Sequence, residues 1–95
     1  MTLHIITRSD TQSQSIHHCL SFIGENDILL FIEDGTYCIL NNALSKQMHD
    51  KNIQCYYLQA DLVARGLTTT NNTKVVDYRA FVTLTENHHP SQTWG

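Results

Sequence analysis

Five consecutive apolar residues, Ile28 to Ile32, lie between Asp27 and the turn-forming Glu33-Asp34-Gly35. A strand with one wet face alternates apolar and polar residues, whereas an unbroken apolar run is the pattern of a strand covered on both faces. A membrane-spanning helix needs roughly twenty such residues, four times this run. The segment therefore reads as a central strand of a parallel sheet with helices packed above and below it.

The rest of the chain supplies the expected neighbours. Leu3 to Thr7 is short and rich in β-branched residues, and breaks at Arg8-Ser9-Asp10, where Ser or Asp can cap a helix. Ile16, Cys19, Leu20 and Ile23 then fall at helical spacing, one stripe ended by Gly24. Thr36 to Asp50 is mixed. Tyr37, Ile39 and Leu40 suggest a short buried piece, Asn41-Asn42 a break, and Ala43 to Met48 a helix. Ile53 to Leu58 reads as a third strand, followed by a helix at Asp61 to Arg65 closed by Gly66. After a polar loop over 67–73 come a brief strand, Lys74 to Asp77, and a helix, Tyr78 to Asn87, with Phe81, Leu84 and Val82 facing inward. Pro90 stops that helix, leaving a tail that ends in Trp94-Gly95. The 95 residues make one α/β domain over 1–95: a three-layer α/β/α sandwich around a mostly parallel sheet of about four to five strands, joined by right-handed crossovers.

Composition removes several functions. Six Lys and Arg against nine Asp and Glu give a formal charge of -3, which opposes a broad grip on nucleic acid or anionic lipid. The start lacks the pattern of a secretory signal, so a cytoplasmic chain is expected. No glycine-rich dinucleotide fingerprint follows any strand, and no cofactor is expected. Three cysteines, Cys19, Cys38 and Cys55, form no CxxC pair, so neither a disulfide framework nor a zinc ribbon follows. The histidine pairs His17-His18 and His88-His89 lack metal-ligand spacing.

In an open parallel sheet the carboxyl ends of the strands converge on a crevice, which directs attention to Arg8, Ser9, Asp10, Glu33, Asp34, Asp61 and Asp77. A metal-dependent phosphoryl-transfer site would use such acids together with a late lysine. Lys74, the only one, precedes its strand instead of ending it. Capping of helices and turns by these carboxylates explains every position without catalysis. Among the thiols, Cys55 reads as a core residue and Cys38 gives no signal. Cys19 shares the apolar stripe of the first helix, and both a core role and a sulfur-accepting role stay open. Trp94, with a large apolar ring, must fold back on its own chain or be buried by another subunit, and Tyr37 is a further candidate for a partner interface.

Five blocks in order carry a resemblance. They are Leu3-His4-x-x-x-Arg8-Ser9, Leu29-Leu30-Phe31-x-Glu33-Asp34-Gly35-x-Tyr37, Asp61-Leu62-x-Ala64-Arg65-Gly66-Leu67, Val76-Asp77-Tyr78-x-x-Phe81-Val82-x-Leu84-Thr85 and Pro90-Ser91-Gln92-x-Trp94. Together they resemble the TusB/DsrH family almost end to end. The resemblance implies a DsrEFH-like three-layer fold and a non-catalytic subunit of a sulfur-relay complex of the TusBCD type. TusC-like and TusD-like chains would be its partners, in a heterohexamer of two heterotrimers. It further implies that persulfide sulfur received through TusA passes towards TusE for 2-thiolation of the tRNA wobble uridine, and that the working cysteine belongs to the TusD-like chain. Cys19-Leu20-x-Phe22 is similar to the cysteine-bearing helix of DsrH chains in sulfur oxidisers. An accessory sulfur-binding role for Cys19, or a place in sulfur oxidation, is thus the alternative that the resemblance implies.

Overall fold

In the computed structural model, which describes residues 2–69, 73–88 and 90–95, the apolar run forms the middle strand of a five-stranded, wholly parallel sheet. The strands are β1 (Leu3–Ile6), β2 (Ile28–Phe31), β3 (Gln54–Leu58), β4 (Val75–Val76) and β5 (Ser91–Trp94), in the spatial order β4-β3-β2-β1-β5. The helices are α1 (Ser15–Phe22), α2 (Asn42–Asp50), α3 (Gln59–Ala64) and α4 (Tyr78–Asn87), and a 3-10 helix over Glu33–Leu40 precedes α2. No helix among the described residues is long and apolar enough to cross a membrane.

The order of the strands explains the three layers. From β1 to β4 the chain steps along the sheet in one direction, and right-handed crossovers made in one direction all fall on one face. The return from β4 to β5 runs the opposite way, so its helix must fall on the other face. Accordingly Ile16, Cys19 and Leu20 of α1, Leu44 and Met48 of α2 and Leu62 of α3 share one core with Ile6, Leu29, Phe31 and Tyr57 of the sheet. Ala80, Phe81 and Leu84 of α4 pack against Leu3, Ile5, Ile28, Leu30, Leu58 and Val76 on the opposite face. Strand pleating sends alternate residues of β2 into each core, and burial of each such side chain stabilises the fold by about 1.5–3 kcal/mol.

Two glycines have identifiable tasks. Gly66 has φ +63° and ends α3, as its position after the apolar run predicts. Gly35 brings the 3-10 helix against the end of β1, where a Cβ would lie 2.1 Å from the Ile6 carbonyl oxygen. No side chain fits there.

Several expectations change. The first helix starts at Ser15, not near Asp10. The Ser9 hydroxyl instead accepts the Gln12 N–H in a separate turn, and Asp10 accepts the Asn41 side-chain amide. Gly24 does not cap α1, which ends at Phe22 with Ile23 already extended. The segment after β2 is a 3-10 helix, whose period of three turns Gly35 and Cys38 inward while Tyr37 and Leu40 face out. Val82, expected inward, is exposed on α4, since Phe81 and Leu84 already define its buried stripe. The tail is not an unstructured end: it forms β5 beside β1, with Leu3 opposite Ser91 and Ile6 opposite Trp94. His89 and residues 70–72 of the expected loop lie outside the described residues.

Candidate functional site

At the carboxyl ends of the strands Asp34, Asp61 and Asp77 are each taken up by a structural donor, while Glu33 is exposed. Arg65, at the end of α3, donates from Nε to Asp34 Oδ1 at 3.0 Å and from Nη1 to the Asp61 carbonyl at 3.3 Å, with its guanidinium 5.9 Å from the centre of the Tyr37 ring. The Gln12 amide donates to the other Asp34 oxygen at 3.0 Å. Gln12 and Arg65 together hold the Asp34 carboxyl below its usual range. Asp61 accepts the backbone N–H of Glu33 at 2.7 Å and so secures the left-handed residue, φ +51°, that opens the 3-10 helix. Asp77 caps α4 by accepting the Ala80 N–H at 2.8 Å. Lys74 stands over the Tyr56 ring, 5.6 Å from its centre, away from these acids. This is a brace that joins three loops, with both Asp34 oxygens and one Asp61 oxygen engaged by Gln12, Arg65 and the Glu33 amide. Among the described residues no three of His, Cys, Asp or Glu converge as metal ligands.

A cleft of about 640 Å³ opens beside this brace, between residues 9–12 after β1 and Tyr37, Leu40 and Asn41 ahead of α2. A second, of about 650 Å³, lies between α2 and β3 and exposes part of Cys55. The three thiols are all held neutral. Cys19 is fully buried on the sheet side of α1. Burial, with the nearby Asp27 charge and Cys55 adding to it, pushes its pKa from 9.0 up to about 12. Burial likewise raises Cys38 to about 11 and Cys55 to about 12. The Cys55 thiol, half-buried, donates to Met48 Sδ at 3.5 Å. His17 and His18 are exposed on α1 and point away from the Cys19 side of the helix.

One constellation escaped the sequence reading. His4, 4% exposed, sits in the apolar strand β1. Its Nδ1 accepts from the Trp94 indole at 3.1 Å, and its Nε2 meets Asp27 Oδ2 at 2.9 Å. An indole N–H can only donate, so Nδ1 is unprotonated and Nε2 carries the hydrogen that Asp27 receives. Asp27 also accepts the Thr2 and Gly24 N–H groups, each at 2.9 Å. Burial alone would raise its pKa, but the Gly24, His4 and Thr2 hydrogen bonds outweigh burial and hold it below the usual range. A polar residue inside a buried strand is the signal that such partners exist, although nothing in the sequence says which. Trp94 thus folds back on its own chain, half-buried, with the exposed Phe22 ring 6.0 Å from it.

Comparison with known proteins identifies relatives of this chain. A family model described as DsrH like protein matches residues 8–91. Protein TusB of Escherichia coli strain K12 is 36% identical over 78 residues, covering 79% of this chain and 82% of that protein. Protein TusB of Shigella boydii serotype 18 matches with the same identity and coverage.

Proposed function

The chain belongs to the DsrH-like family, and from that premise we propose that it is a non-catalytic subunit of a sulfur-relay complex of the TusBCD type. Its partners in this reading are TusC-like and TusD-like chains, in a heterohexamer of two heterotrimers in the cytoplasm. Persulfide sulfur enters through TusA and leaves towards TusE for 2-thiolation of the tRNA wobble uridine, while a partner chain holds the reacting cysteine.

The observation that supports a non-catalytic role is the state of the thiols. A sulfur-accepting cysteine needs exposure and an accessible thiolate. Cys19 and Cys38 are fully buried, and all three thiols are pushed to about 11 or 12. For Cys19 to carry sulfur, α1 would have to leave the sheet and uncover Ile16 and Leu20 with it. The carboxyl-end brace likewise supports a shape-giving role, because its acids are bound by Gln12, Arg65 and backbone amides.

Co-expression with TusC-like and TusD-like chains tests the proposal, the expected result being one stable complex of the three. A chain that remains alone beside them refutes it. Within the assembled complex, Cys19→Ala is expected to leave persulfide relay per complex unchanged. Loss of relay with intact assembly would transfer the carrier role to Cys19.

A further inference from the structure

We propose that the Trp94–His4–Asp27 chain is a proton-operated latch: a proton taken up from solvent at His4 Nδ1 ends the indole hydrogen bond and loosens the C-terminal strand β5 from β1.

β5 is a short edge strand. It has four residues, of which Ser91, Gln92 and Thr93 are exposed, and Trp94 supplies its one half-buried side chain. The Trp94 ring packs on the edge of the α1-side core and beside Phe22, and the strand is further held by Leu3 N–H to the Pro90 carbonyl at 3.2 Å, Thr7 N–H to the Trp94 carbonyl at 3.3 Å and the Thr7 hydroxyl to the same carbonyl at 3.2 Å. The indole bond to Nδ1 is the polar contact that fixes the Trp94 ring, and with it the end of the strand, against β1.

That bond exists in only one protonation state of His4. Imidazolium carries N–H donors at both nitrogens, and the indole has no acceptor in its ring plane, so protonated Nδ1 and Trp94 Nε1 would face each other as two donors at 3.1 Å. The Asp27 side of the ring suffers no such conflict, because Nε2 donates to the carboxylate in either state. Protonation is thus accepted on one side of the ring and rejected on the other, and the rejected partner is the strand. The proton on Nδ1 and the docked indole exclude each other at this distance, so acid works against docking.

The surroundings add no competing switch. Asp27, from the turn before β2, is the charged group in contact with His4, and its lowered pKa keeps it ionised through mild acid. On α1 Cys19 faces the sheet and burial keeps it neutral, while His17 and His18 are exposed. Across the sheet, β2 and β5 place Leu29 and Gln92 opposite His4. Release would leave β1 as an unpaired sheet edge, a surface open to strand pairing.

Trp94 is the single tryptophan, so its emission reports the latch directly. The experiment compares hydrogen exchange of the full chain at about pH 8 and about pH 5, the span in which histidines change charge. After correction for intrinsic exchange, residues 91–95 and the Leu3 and Thr7 amides are expected to exchange roughly tenfold faster in acid, the loss of one buried hydrogen bond. Trp94 emission should change with the same midpoint. His4→Gln removes the titrating ring and Trp94→Phe keeps an aromatic ring without the N–H, and either variant should lose the pH dependence of exchange. A wild-type ratio that does not change with pH, or a transition that persists in either variant, overturns the proposal.

Discussion

Replacing Gly35 by alanine tests the packing of the carboxyl-end brace most sharply. An added Cβ would stand 2.1 Å from the Ile6 carbonyl oxygen and 2.8 Å from its carbon. Both are backbone atoms of a buried strand and cannot rotate aside. That same oxygen accepts the Ile32 N–H at 3.0 Å, so relief of the clash must displace the junction between β1, β2 and the 3-10 helix. Overpacking in a rigid core costs up to about 3 kcal/mol, and a weakened buried hydrogen bond adds about 1, giving a loss of about 3–4 kcal/mol. A chain of this length holds roughly 5–14 kcal/mol in total, so the variant should fold but with its urea midpoint lowered by roughly 2 M. Two other glycines serve as internal standards. Gly66→Ala meets nothing within 4 Å but must keep φ +63°, so strain alone should cost about 1 kcal/mol. Gly24→Ala meets only the Asp27 side chain at 3.5 Å and should change stability by less than about 1 kcal/mol. The assay is urea unfolding followed by far-ultraviolet circular dichroism. If Gly35→Ala falls within about 0.5 kcal/mol of wild type, the close approach of the 3-10 helix to β1 is wrong.

Other expectations can be checked on the same material. In the folded chain Cys19, Cys38 and Cys55 keep their protons up to about 12, 11 and 12, whereas unfolded thiols ionise near 9.0. Their contribution is therefore intact below pH 9 and is lost as pH rises through the folded values, so urea midpoints should fall steeply above about pH 9. A flat midpoint from pH 9 to 11 would contradict the burial of these groups. Native-state alkylation near neutral pH should modify Cys55 slowly and leave Cys19 and Cys38 untouched until unfolding, read by mass spectrometry of tryptic peptides. Asp77→Ala removes the acceptor for the Ala80 N–H and should cost about 1 kcal/mol, measured by urea unfolding, with Asp77→Ser or Asp77→Asn restoring most of it.

The strands and helices that were readable are those whose packing leaves a local mark. β2 shows as an unbroken apolar run because both faces are covered, and α4 shows because Asp77 caps it and Phe81 and Leu84 face the sheet. The thiols were half legible: the stripe of α1 already placed Cys19 on its inner side, while the partial opening of Cys55 into a cavity depends on where α2 lies. The acids at the strand ends were found as a group, but their partners were not, because Gln12 and Arg65 reach Asp34 across 22 and 31 residues of chain.

By itself the sequence determined an α/β chain with a central parallel strand, helices on both sides, and the family to which it belongs. Periodicity and turn chemistry are local, and each residue records whether its own side chain is covered. Only the tertiary structure decided that Ser91–Trp94 is a strand, since an exposed edge strand of polar residues buries too little to leave a pattern. The same holds for His4, which lies 23 residues from Asp27 and 90 from Trp94 and meets both only because β2 and β5 pair with β1 on its two sides.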